Sequence, residues 1–115
     1  MQFREPHRTE APAAELTKIR ALLEEGKFDS GGLEFLDKHN IPRERLPDAV
    51  LEHLIDEKKV FCKFKHNTCI SIKNLFHACV DITDEHDAYV QIRLFEDRVI
   101  LKIHRHDSTH RLPKR

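Results

Sequence analysis

The chain is 115 residues long, 39% apolar and 35% charged, with 20 Lys+Arg balancing 20 Asp+Glu. That length suits one domain with a core of its own. No apolar run reaches the ~18–20 residues that cross a bilayer, and MQFREPHRTEAP lacks the apolar centre of a secretory signal, so neither a membrane nor a secreted protein is expected. Cys62, Cys69 and Cys79 make an odd count with no other mark of a disulfide scaffold, which points to a reducing cytoplasm.

The charge is unevenly spread. Residues 1–57 hold 8 Lys+Arg against 13 Asp+Glu, a net of −5, and residues 58–115 hold 12 against 7, a net of +5. The expected organisation is a disordered segment over 1–11, one α+β domain over 12–106 and a mobile basic tail over 107–115. Within the domain, 12–57 form an acidic helical half and 58–106 a basic β half.

Pro12 suits the first turn of a helix, with Leu16, Ile19, Leu22 and Leu23 on one face and Gly26 as its stop. Asp29 or Ser30 can cap a second helix that turns Leu33 and Leu36 inward, ended by Asn40 and Pro42. A third starts near Pro47, burying Val50, Leu51, Leu54 and Ile55. Its other face carries Asp48, Glu52, Asp56 and Glu57, and His53 reads as a surface residue. The period then changes to two. Val60, Cys62 and Phe64 alternate with Phe61, Lys63 and Lys65, and Ile70 and Ile72 return to the apolar face after an odd loop or a bulge. Ile72, Leu75, Phe76, Cys79 and Val80 fall at helical spacing, which predicts a short helix between two hairpins. A strand through Ala78, Val80 and Ile82 is the competing reading.

From Ala88 to His106 the alternation is strict on both sides of Glu96-Asp97. Pairing Leu94 with Val99, Ile92 with Leu101 and Val90 with Ile103 gives an aliphatic face, and a one-residue slip would bury charge. The fold expected is therefore three N-terminal helices packed on a four-stranded antiparallel sheet of two hairpins.

Helices followed by a short hairpin, from Leu46 to Ile72, resemble a winged-helix module at the level of fold. That resemblance implies a recognition helix and a wing of Lys63, Lys65 and His66 backed by Lys58 and Lys59, a phosphate-contacting edge. The carboxylates on the helix would repel phosphate inside the ~8–10 Å screening length. A second candidate is the outer sheet face, where Phe61, Tyr89 and Phe95 lie among Lys63, Lys65, Arg93, Arg98, Lys102, His104 and His106. Bases stack on aromatics while phosphates pair with cations, as a single-stranded nucleic acid requires. The same face suits a protein partner, since Tyr and Arg favour interface hot spots.

Metal sites are weakly drawn: Cys62, His66 and Cys69 with His77 or Cys79, and His104, His106, Asp107 and His110, lack the paired short spacings of structural zinc. Asp81, Asp84, Glu85 and Asp87 have no glycine to shape a calcium loop. RVILKIHRHDSTHR resembles the basic C-terminal strand of ribosome-dependent toxin endoribonucleases. That likeness implies acid–base and phosphate-stabilising roles for Arg93, His104, Arg105 and His106, although those toxins are strongly basic. No nucleophile elbow, glycine-rich phosphate loop or H-E-x-x-H is present.

The function expected is a non-catalytic regulator or inhibitor, without cofactor, that engages nucleic acid or a nucleoprotein complex through its basic strands. The alternatives are an adaptor binding through its acidic helices, dimeric through the terminal hairpin edge, and a metal-independent endoribonuclease.

Overall fold

The computed structural model describes residues 9–66, 68–104 and 112–115. Helix α1 spans Ala13–Glu24 and buries Ile19, Leu22 and Leu23, entered from Pro12 in an extended conformation. Gly26 ends it at φ 74°. The Lys27 N–H donates to the Leu22 carbonyl and the Gly26 N–H to that of Leu23, the paired bonds of a Schellman stop. Helix α2 (Glu34–Lys38) ends the same way, with Asn40 at φ 56° and Ile41 donating to Leu36.

Helix α3 runs Arg45–Ile55, two residues earlier than the Pro47 start the sequence suggests, and buries Leu46, Ala49, Val50 and His53. This turns the expected face: Ile55 is 49% exposed, whereas His53 is only 3% exposed. Glu57 takes the left-handed position at φ 55°, and Lys58 donates to the His53 carbonyl.

Five strands follow one another across a mixed sheet in the order β1-β5-β4-β3-β2. They are β1 (Phe28–Gly31), β2 (Phe61–Phe64), β3 (Ser71–Asp81), β4 (Asp87–Leu94) and β5 (Val99–His104). The β4–β5 register is the expected one: Leu94 faces Val99, Ile92 faces Leu101 and Val90 faces Ile103. Phe95 donates to the Arg98 carbonyl, leaving Glu96-Asp97 at the tip. The expected bulge in the other hairpin lies between Cys62 and Phe64. Ile70, assigned to the apolar face, is instead 58% exposed.

Three features correct the expected architecture. The short helix between the hairpins is strand β3, paired with β4 from Leu75–Arg93 to Asp81–Asp87. The β2–β3 hairpin is thereby part of the main sheet and not a free wing. Finally, β1 pairs in parallel with β5, Phe28 opposite Val99, so the sheet is neither four-stranded nor all antiparallel. It also covers the hairpin edge that the dimeric alternative needed.

Phe76, Ala78, Val80, Ile82, Val90, Ile92, Val99 and Leu101 join the buried residues of α1 and α3 in one core. Burying such side chains contributes ~1.5–3 kcal/mol each. The opposite sheet face has a smaller cluster of Phe61, Cys79 and Leu112, with Tyr89 against it. Both chain ends contribute. Glu10 bridges to Phe61, Ala11 donates to the Val60 carbonyl, and Lys59 donates to that of Lys114. Residues 9–11 and 112–115, assigned to a disordered segment and a mobile tail, are thus packed on the domain. The remainder of both segments lies outside the described residues. Among the described residues no helix is long and apolar enough to cross a membrane.

Candidate functional site

Directly paired residues of a sheet point to the same side, so the register assembles the outer face. One row runs Phe61, His77, Gln91, Lys102 across β2 to β5, and the next holds Cys79, Tyr89 and His104. Arg93 lies opposite Ile100 on the same face. The rings form a diagonal. Phe61 and His77 meet edge to face at 6.4 Å, His77 and Tyr89 at 5.4 Å, and Tyr89 and His104 at 6.1 Å between centroids. The Tyr89 hydroxyl lies 2.6 Å from His77 Nδ1.

Burial pushes the Tyr89 hydroxyl above its ordinary value. Burial first, then the positive charges of Lys102 and Lys63, hold the His104 imidazole below its own. Lys63 follows Phe61 by two residues at the bulge of β2, and its charge, with that of Lys102, reaches His104. Lys63, Arg93 and Lys102 form no ion pair among the described residues, nor does Lys65 in the β2–β3 turn. Phe95, 41% exposed, stands near the hairpin tip with the Arg98 guanidinium 6.0 Å from its ring.

Other candidates fall elsewhere. Lys58 is 3.3 Å from Asp81 and Lys59 3.3 Å from Glu10, so neither is a free cation. Phe61 is 3% exposed and packs with Leu112, which removes it as a stacking platform. His66 is exposed in the β2–β3 turn. His106, with Arg105, Asp107 and His110, lies outside the described residues. Of the proposed endoribonuclease set, only Arg93 and His104 are therefore placed. Among the described residues no three His, Cys, Asp or Glu side chains gather as a metal site would need.

Two histidines take places the sequence did not assign them: His77, weighed there as a metal ligand, and His53, read as a surface residue. His77 belongs to the outer face once 71–81 is read as a strand, by simple alternation with Leu75 and Cys79. His53 lies three residues from Val50 and seven from Leu46, so it falls on the apolar stripe of α3. Its Nε2 is 2.9 Å from the Lys59 carbonyl. A carbonyl only accepts, so Nε2 carries the proton and Nδ1 the lone pair. Burial, as the largest cause, holds this imidazole below its ordinary value.

No protein-family model, curated protein or solved structure matches the chain.

Proposed function

We propose that the protein is a non-catalytic binding module whose outer sheet face docks single-stranded nucleic acid. The observation that carries the reading is that Lys63, Arg93 and Lys102 share this face and none is neutralised by an acid among the described residues. Several cations of the basic half are instead paired: Lys58 and Lys114 with Asp81, Lys59 with Glu10, Arg98 with Asp29. A phosphate chain following the free cations passes Phe95, an exposed ring on which a base can stack. The groove-reading alternative has less to stand on, because α3 presents its apolar stripe to the core and carboxylates to solvent.

Three phosphate contacts to a single strand give a salt slope of about −2, so binding should fall roughly 20-fold between 50 and 200 mM salt. Fluorescence anisotropy with a labelled single-stranded RNA and its DNA counterpart measures this directly. Lys63→Glu with Lys102→Glu should abolish binding while the circular dichroism spectrum stays that of the parent. No binding at low salt, or binding indifferent to both the double substitution and salt, refutes the proposal.

A further inference from the structure

The described C-terminal residues lie on the outer sheet face. Leu112 packs with Phe61 and Cys79, and Tyr89 lies against the same cluster. The Lys59 N–H donates to the Lys114 carbonyl at 2.8 Å. The Lys114 ammonium reaches Asp81 at 2.6 Å and Asp87 at 2.8 Å. Those two carboxylates are directly opposed across β3 and β4, a placement in which like charges repel, and Lys114 answers both.

These holds are easily undone. The ionic latch is open to water, with the Lys114 side chain 34% exposed and its partners 44% and 43%, and exposed pairs add little stability. The apolar hold is a single leucine, and the main core lies under the opposite side of the sheet. Residues 112–115 can therefore lift while the domain stays folded.

What they cover is the aromatic part of the docking face. Phe61, 3% exposed, is lost as a stacking platform while Leu112 rests on it, yet it shares a register row with Lys102 across β2 to β5. The face thus has its cations open and its Phe61 ring shut. We propose that residues 112–115 are an autoinhibitory strap, which a docked single-stranded nucleic acid displaces so that a base stacks on Phe61. The inference rests on the nucleic-acid reading of the same face and adds its regulation. Only molecules with the strap raised offer the ring, so apparent affinity is reduced by their fraction.

The test is an NMR titration of the intact protein, read at the Leu112 methyl groups and the Lys102 amide. Single-stranded oligoadenylate is the probe, and inorganic polyphosphate, which carries charge but no base, is the control. Both should move the Lys102 amide, whereas oligoadenylate alone should drive the Leu112 methyls from their place beside the Phe61 ring to the shifts of an unstructured peptide. Leu112→Ser, which alters no charge, should bind oligoadenylate about tenfold more tightly, the size of one stacked base. Adding Phe61→Leu should cancel that gain. Leu112 methyls that stay in place at saturation overturn the proposal, as does equal affinity of the parent and Leu112→Ser; in either case the Lys102 response leaves the nucleic-acid reading standing. Release by polyphosphate as readily also overturns it, since charge alone would then lift Lys114. Silence of Lys102 toward both probes, in the parent and in Leu112→Ser, overturns the nucleic-acid reading and the strap with it. Should Leu112→Ser lose the parental circular dichroism spectrum, the parent's Leu112 methyls decide.

Discussion

Gly32 is the sharpest place to test the added parallel strand. It follows β1 at φ +67°, and a Cβ there would overlap the Ile103 carbonyl oxygen and lie 3.0 Å from the Ile103 carbonyl carbon. The neighbour is backbone of β5 and cannot rotate away. Gly32→Ala therefore carries the left-handed penalty of ~1–2 kcal/mol. It also has to push β1 off β5, at ~1 kcal/mol for each ladder hydrogen bond lost. The sum is about 2–4 kcal/mol, a large part of the ~5–15 kcal/mol that holds a domain folded. Gly31 is the internal control, because a Cβ there meets only Lys102 Cγ, at 3.8 Å. Gly31→Ala should change stability by no more than ~0.5–1 kcal/mol and in the stabilising direction, since glycine inside a strand is unfavourable. In urea, followed by circular dichroism, Gly32→Ala should lower the midpoint by about 1–3 M at unchanged slope. Equal midpoints for the two variants, or Gly32→Ala within ~0.5 M of the parent, would show that β1 does not lie against β5 as described.

Stability should also fall with acid before any carboxylate titrates. The folded state holds the His53 imidazole below its ordinary value, so His53 contributes fully above the unfolded value near ~6.5. As the pH drops below that, the unfolded chain takes up a proton the folded one refuses, and stability declines by at most ~1.4 kcal/mol per pH unit. Urea midpoints across this window should depend less on pH in His53→Gln, which keeps a donor for the Lys59 carbonyl, with His104 supplying the remainder; an unchanged slope would show that His53 does not contribute. Thiol labelling should find exposed Cys69 first and Cys79 last, because burial, aided by Asp87, pushes the Cys79 thiol up to about 11. Removing residues 112–115 uncovers Cys79 and should speed its labelling about tenfold by exposure, against the loss of Lys114, whose charge favours the thiolate; equal rates would mean that Leu112 does not cover it.

Local patterns recovered whatever local forces decide. Alternation located the β4–β5 register because a slip would bury Arg93 and Lys102. Gly26 and Asn40 marked two helix ends because those residues take positive φ readily. Glu57 ends α3 in the same conformation, yet glutamate announces nothing of the kind. The helix expected at 72–82 has a physical origin. Leu75, Phe76, Cys79 and Val80 are all buried, because the main core lies under one side of β3 and Phe61 with Leu112 under the other. A strand buried on both faces loses its alternation, and what remains can mimic a helical period. Strand β1 was invisible for a different reason. Phe28 is its one apolar residue, and its pairing comes from β5, some 70 positions away.

The candidate site was partly legible for the same reason. Side alternation placed Arg93, Lys102, Tyr89 and His104 together, but the sign of a surface is not the sum of its segment. The −5 and +5 halves do not survive folding as a simple dipole, because Glu10 and Asp29 of the acidic half reach Lys59 and Arg98 of the basic one. Asp81 and Asp87 meet Lys58 and Lys114 within the basic half itself. Such exposed pairs add little stability, but they decide which cations stay available. The fold subtracts Lys58, Lys59, Arg98 and Lys114 from the basic half and leaves Lys63, Arg93 and Lys102 together on one pleated face. Breaking a pair should alter the surface it silences: Glu10→Gln frees Lys59 and should strengthen nucleic-acid binding at low salt in the anisotropy assay, and unchanged affinity would show that Lys59 lies off the docked strand.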